Sequence, residues 1–306
     1  MKHYFIVNPL AGQKKAARYI PLIHSYCQDH AISYEVLETN DPAAAQSAIR
    51  ARLNTEEPLR FYACGGDGTI SCVISTIAAA GKPNVSVGII PAGTGNDFIR
   101  SLPDPALQRS IAAQIGGEPT PIDLIRVQDS YAINMLNIGL DCDAADMASE
   151  LKKKPLISGS MAYVLGLINR LCKPLGTSLT LTFDDEKTIH GDYLLGTIAN
   201  GRYYGGGWHA APLSKLDDGL LDVALITKVP RYRFLHIIPS YHSGTYLPHQ
   251  IETGLVTYRQ CHKVRIVADT PQNICVDGDI RSFEDITVEV CPKAIQLIIP
   301  KKDAPL

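Results

Sequence analysis

Little in this 306-residue chain favours one sign of charge: 29 lysines and arginines face 31 carboxylates, for a formal net charge of −2. No global field gathers nucleic acid or acidic lipid, so any attraction to an anion must be local. Long hydrophobic runs are missing too. None reaches the roughly 18 apolar residues of a spanning helix. The segment Met1 to Pro9 lacks a signal peptide's apolar region and small-residue cleavage site, and reads as a first strand. The eight cysteines, at 27, 64, 72, 142, 172, 261, 275 and 291, include no C-x-x-C pair, which argues against a zinc or dithiol centre. Several stand in apolar runs, where cysteine behaves as a small hydrophobe, so reduced thiols in a cytoplasm are expected. There is no internal repeat and no low-complexity segment. No Walker-type lysine follows a glycine loop, which removes the P-loop enzymes.

What is present is a pair of glycine loops behind strand-like runs. Leu59 to Cys64 leads into Gly65-Gly66-Asp67-Gly68-Thr69, and a helical stretch follows from Thr69 to Ala80. Val85 to Ile90 leads into Pro91-Ala92-Gly93-Thr94-Gly95-Asn96-Asp97. Such loops at the carboxyl ends of neighbouring strands offer backbone N–H groups to a nucleotide's phosphates, and glycine lets the backbone come close. Around them, strand signals at His3 to Asn8, Ser33 to Thr39 and Pro121 to Val127 alternate with helical ones at Gln13 to His30, after Asp41-Pro42, and at Pro105 to Ile115. Asp41 reads as an N-cap with proline at the first helical position. Repeated β-α units predict a parallel sheet covered by helices.

The texture changes after Tyr131. Strand-like runs now follow one another at Ala132 to Ile138, Ser178 to Phe183, Tyr193 to Ala199, Leu220 to Thr227, Lys263 to Ala268, Asn273 to Val276 and Ile286 to Val290. Helical stretches interrupt them near Asp143 to Lys153, Ser160 to Cys172 and Tyr232 to Tyr241, which predicts a mostly antiparallel β domain. Taken singly, Asp217-Asp218-Gly219 and Asp277-Gly278 are ordinary hairpin turns, and Asp123 is a lone acid in an apolar strand.

Taken in order, seven elements resemble the diacylglycerol kinase catalytic family, lipid kinases that include sphingosine kinases and bacterial diacylglycerol kinases. They are Asn8-Pro9-Leu10-Ala11-Gly12, the Gly65 to Thr69 loop, Pro91 to Phe98, Ile122-Asp123, Asn200 to Gly207, Leu216 to Asp222, and Val276-Asp277-Gly278-Asp279 with the closing Pro292 to Pro300 segment. The resemblance implies an α/β fold: an N-terminal parallel-sheet nucleotide-binding domain over 1–128, rejoined by 292–306, and a C-terminal mostly antiparallel β-sandwich domain over 129–291, with the active cleft between them. It implies ATP bound by Asn8, Pro9, Gly12, Thr39, Gly65, Gly66, Asp67, Gly68, Thr69, Gly93, Thr94, Gly95, Asn96 and Asp97. It implies a catalytic Mg²⁺ held by Asp67 and Asp123, and a second, structural Mg²⁺ at Asp218 with the carbonyls of Lys215 and Leu220. Asp277 or Asp279 would be the general base that accepts the lipid hydroxyl's proton. Isolated aspartates suit such a site, because Mg²⁺ keeps several waters and phosphoryl transfer asks mainly for positioning and charge neutralisation.

The chain departs from the family pattern at Ile70-Ser71-Cys72, where many relatives carry leucine-asparagine-glutamate, at Asp279, where glutamate is usual, and in the basic Lys152-Lys153-Lys154-Pro155 region. The expected substrate is diacylglycerol, phosphorylated to phosphatidic acid at the inner membrane face by a cytoplasmic protein, with a second copy of the chain as the candidate protein partner. Two stretches are candidate membrane contacts as well as candidate packing surfaces: Ser160 to Leu175 with Lys152 to Lys154, and Arg231-Tyr232-Arg233-Phe234. Tyr203, Tyr204 and Trp208 either line the cleft or pack the sandwich. The alternatives are an NAD kinase, which shares the Asp67 element, and a catalytically idle lipid or nucleotide sensor, suggested by Cys72 and Asp279.

Overall fold

The computed structural model describes residues 1–140, 142, 147, 165 and 176–301. The chain divides into two compact units, Met1–Asp123 with Lys293–Leu306, and Leu124–Pro292. In the first, β1 (Lys2–Val7) pairs in parallel with β2 (Tyr34–Glu38) and β3 (Leu59–Gly65), and β3 pairs in parallel with β4 (Val85–Pro91). β4 is buried along its whole length, as expected of a strand covered on both faces. Phe5, Val7, Ile23, Tyr62, Cys64, Ile90 and Ile298 share this unit's core.

The helices that cover the sheet follow local chemistry. The predicted Gln13–His30 helix is broken at its start: Gly12, Gln13 and Lys14 all take left-handed φ of 59 to 69°, so a short turn, α1 (Ala11–Lys14), precedes a 3₁₀ turn and then α2 (Tyr19–Asp29). Asp41 caps α3 (Pro42–Arg52), its carboxylate accepting the Ala43 N–H at 3.0 Å with proline at the first position. α4 (Asp67–Ala80) ends at Gly81 in the left-handed conformation that favours glycine. The Pro105–Ile115 stretch contains only a 3₁₀ turn, Leu107–Arg109, and α5 (Ile111–Ile115), because extended Ser110 caps the latter by accepting the Ala113 N–H.

Chain crosses to the second unit along β5 (Glu118–Val127), whose end forms a hairpin with β6 (Ser130–Ala132). The predicted Ala132–Ile138 strand is split there, and β7 (Met135–Gly139) starts only after Ile133 and Asn134. β8 (Thr177–Phe183), β9 (Lys187–Ala199) and β10 (Leu221–Thr227) follow, then α6 (Arg231–Ser243), α7 (Leu247–Glu252), β11 (Val256–Cys261), β12 (Lys263–Val276) and β13 (Asp279–Ile299). Among the described residues these strands pair antiparallel. β9 and β12 each pair with β8 along their first part and with β7 along their last. The sequence read β12 as two pieces; it is one strand with a register shift between Val267 and Gln272. β11 and α7 escaped notice because neither has a long apolar run. β13 returns to the first unit, where Gln296 and Leu297 pair in parallel with Ser86 and Val87 of β4.

Tyr204 and Trp208 resolve as packing residues, buried with Phe234, Tyr241 and Tyr246, while Tyr203 stacks on His209. No disulfide involves any described cysteine. Apart from Met147 and Leu165, both helical, the helices expected at Asp143–Lys153 and Ser160–Cys172, and the basic Lys152–Lys154 stretch, lie outside the described residues. Among the described residues no helix is long and apolar enough to cross a membrane.

Candidate phosphate-binding and acceptor sites

In the first unit, four loops open from the carboxyl ends of four neighbouring parallel strands, where ligands gather in open α/β sheets. Hydrogen bonds tie each loop to the next. Thr39 donates its N–H to Val7 O at 2.9 Å, Asn8 donates to Cys64 O at 3.0 Å, and Ala92 and Gly93 donate to Gly65 O at 2.7 and 3.1 Å. The Asn8 side chain accepts the Leu10 N–H and reaches Thr69 Oγ1 at 3.5 Å. Pro9 follows within the same turn.

Two glycines are demanded by contact. A Cβ at Gly12 would stand 1.8 Å from Ala92 O, and the φ of 59° would strain any other residue. A Cβ at Gly93 would stand 2.5 Å from Gly66 Cα, so the two glycine loops touch backbone to backbone. Gly66 is the N-cap of α4, and the helix starts at Asp67 and Gly68, whose N–H groups have no acceptor within the helix. That end carries the positive pole of the helix dipole and suits a phosphate. Gly68 and Thr94 are exposed beside it.

Asp67 holds the second loop to the first. Its Oδ2 accepts the Asn96 N–H at 2.8 Å and its Oδ1 the Asp97 N–H at 2.9 Å. Asn96, with a φ of 52°, closes its own loop by accepting from Gly93 N and donating to Gly93 O. A Cβ at Gly95 would meet Asp67 Oδ2 at 2.8 Å. Each Asp67 oxygen gives one lone pair to an N–H and retains another, which suits a hydrated hard cation. Asp123 sits elsewhere in the same unit: fully buried, it accepts the N–H of Lys293 at 2.7 Å, fastening the returning chain where β13 re-enters. Among the described residues no group of three or more histidine, cysteine or acidic side chains is positioned to hold a metal.

In the second unit, β12 and β13 meet in a two-residue hairpin of Asp277 and Gly278, with φ of 47° and 100°. The Asp277 carboxylate accepts three N–H groups: Ile133 to Oδ2 at 2.7 Å, and Asn134 and Met135 to Oδ1 at 3.1 and 3.0 Å. Asp277 N returns a bond to Met135 O. Asp279 begins β13 and is exposed. The Ile133–Met135 segment is the part the sequence missed. Its signal was Asn134, a polar residue inside an apolar run, whose side chain donates to Tyr203 O while Asn200 donates to Ile133 O. A separate turn brings Asp218 Oδ1 to the Leu220 N–H at 3.1 Å around Gly219, whose φ is 74°. Asp222, at the start of β10, is buried and accepts from Tyr258 Oη and from Gln260. Burial pushes its carboxyl above the ordinary 3.8, while the Tyr258 hydrogen bond opposes the shift.

Comparison with known proteins covers both units. Residues 2–127 match the diacylglycerol kinase catalytic domain, and residues 134–299 match the YegS C-terminal NAD kinase beta sandwich-like domain. The chain is 29% identical to a diacylglycerol kinase of Mycobacterium tuberculosis (strain CDC 1551 / Oshkosh) over 245 residues, 78% of this chain and 75% of that protein. It is 27% identical over 241 residues to the "Probable lipid kinase YegS-like" of Shewanella frigidimarina (strain NCIMB 400), 77% of this chain and 75% of that one. A crystal structure titled as a diacylglycerol kinase from Bacillus anthracis str. Sterne superposes with a TM-score of 0.70 at 17% identity, covering 99% of this chain and 98% of that one.

Proposed function

With both parts of its length matched, the chain belongs to the diacylglycerol kinase catalytic family, and we propose that it is an ATP-dependent lipid kinase that converts diacylglycerol to phosphatidic acid. The observation that carries this proposal is the junction of the two glycine loops: Gly93 against Gly66, with Asp67 accepting the N–H groups of Asn96 and Asp97. That junction fixes a set of backbone donors before a nucleotide arrives, so little ordering is left for the ligand to impose. The α4 N-terminus with Gly66, Gly68 and Thr69 would take phosphate oxygens, and Asn8 to Gly12, Thr39 and Gly93 to Asp97 would surround the rest of ATP.

Mg²⁺, when bound, would neutralise phosphate charge. Asp67 and Asp123 would help hold it, directly or through water, and Asp218 with the Lys215 and Leu220 carbonyls would hold the structural ion. We assign the base to Asp279 and the positioning of its hairpin to Asp277. A carboxylate engaged by three N–H groups has few lone pairs left for an acceptor's proton, whereas the exposed Asp279 has room for it. In the transfer, the lipid hydroxyl oxygen attacks the γ-phosphorus, the bond to the bridging oxygen breaks and ADP leaves, and the hydroxyl proton passes to Asp279.

The test is incubation of the protein with γ-labelled ATP, Mg²⁺ and a total membrane lipid extract, followed by separation of the lipids. Labelled phosphatidic acid is the expected product. Label in another lipid would move the acceptor, and label in no lipid, with NAD phosphorylated instead, would overturn the proposal.

A further inference from the structure

α6 separates its side chains into two faces. Phe234, Ile237 and Tyr241, at helical spacing, are buried at 1%, 5% and 1% exposure in the core of the second unit. The opposite stripe begins with Tyr232 at 64% and Leu235 at 53% exposure and continues through His236, Pro239 and His242, all exposed. Arg231 and Arg233 flank the stripe and are exposed as well. From Lys228 to Ser243 there is no carboxylate, in a chain whose net charge is −2. Lys228, just before the helix, pairs with Asp192 at 3.4 Å.

We propose that this face of α6 docks on an anionic bilayer, with Arg231 and Arg233 among lipid phosphates and Tyr232 and Leu235 sunk to the headgroup boundary. Tyrosine beside leucine and arginine is the composition that settles at that depth, with the apolar ring inward and the hydroxyl and guanidinium in water. A protein partner is the poorer fit. Two large apolar side chains on a 13-residue helix fall well short of the roughly 800 Å² that each side of a stable protein interface buries. Docking by this helix needs no nucleotide and stands apart from the catalytic assignment.

Sedimentation of the full chain with vesicles tests it, using phosphatidylcholine alone or mixed with phosphatidylglycerol. The expected result is partition onto the mixed vesicles well above that onto the neutral ones. Replacing both arginines, Arg231→Gln with Arg233→Gln, is expected to weaken it about 30-fold, from about 1 kcal/mol for each basic residue at an anionic surface. Tyr232→Ser with Leu235→Ser is expected to weaken binding to both kinds of vesicle. All four side chains are exposed, so the unfolding temperature should hold. Equal partition onto the two kinds of vesicle, or unchanged partition of the double variants, would overturn the docking. So would a change in elution volume of the Ser variant with vesicle binding intact, which would mark the face as a protein interface. Phosphate transfer to a detergent-dispersed lipid should be unchanged in all variants, which separates failed docking from failed catalysis.

Discussion

Asp67 and Asp277 are the same device in two different folds. Asp67 opens a helix behind a parallel strand and takes two backbone N–H groups from another loop; Asp277 occupies an antiparallel hairpin and takes three. In both, a carboxylate substitutes for a stretch of regular pairing by satisfying backbone donors that would otherwise lack partners. The difference lies in what the clamped backbone does next. Around Asp67 it leaves glycine loops and a helix N-terminus open to a ligand. Around Asp277 it fixes a tight turn and the start of β7, and leaves Asp279, two residues on and exposed, as the acid to which we assign the base. An aspartate in a motif can therefore serve as a fastening.

The comparison breaks most visibly at Asp67. Asp67→Ala removes the acceptor of the Asn96 and Asp97 N–H groups and a carboxylate from the junction of the glycine loops, so labelled phosphate transfer should fall on the order of 10³-fold. If transfer persists within a few-fold, Asp67 is a fastening only and the two aspartates are alike after all. The Asp277 and Asp279 pair sharpens the contrast at the next level. Asp279→Asn should lower kcat on the order of 10²-fold or more with no change in unfolding temperature. Asp277→Ala should instead cost about 3 kcal/mol of stability, from the donors it strands at Ile133, Asn134 and Met135. Chemical denaturation beside steady-state kinetics separates the two, and the opposite pattern would return the base to Asp277.

The smallest effect, and the one specific to each unit, is the response to pH. Burial, with Arg60 adding to it, holds His3 down at about 4 from 6.5, so the folded first unit keeps it neutral beside the Tyr62 hydroxyl at 3.0 Å. The unfolded chain binds the extra proton between those values. The stabilisation, about 3 kcal/mol at most, is full above pH 6.5 and lost as pH falls towards 4. Asp222 in the second unit has the reverse sign. Its carboxyl is raised by burial, so its contribution is full below 3.8 and lost as pH climbs through the raised value. Unfolding followed against pH should therefore show His3→Gln flattening the acid side and Asp222→Asn removing the loss of stability that sets in above 3.8. Indifference of the acid limb to His3→Gln would remove His3 as its source.

Much of the fold was legible because it is written in short-range signals. The apolar runs of β3 and β4, the glycines that end them, and the Asp41-Pro42 cap each depend on residues within a turn of one another. The misreadings lie where a local signal was overruled. Helical spacing from Gln13 onward gave way to three left-handed residues that carry the chain past Ala92. The apolar run at Ala132 to Ile138 gave way to a two-residue break that serves Asp277, 142 to 144 residues away along the chain.

For the candidate site, sequence alone determined which residues stand in the loops, because glycine and aspartate at strand ends are chosen by backbone geometry close at hand. Tertiary structure alone decided what those aspartates do. Whether a carboxylate faces a ligand or a backbone N–H depends on which distant segment folds against it, and sequence spacing carries no record of that. Thus Asp67, Asp123 and Asp277 look alike as letters, yet one joins two glycine loops, one fastens Lys293 and one holds the start of β7. The physical reason is that a hydrogen bond is satisfied by proximity in space, and only the packed chain creates that proximity.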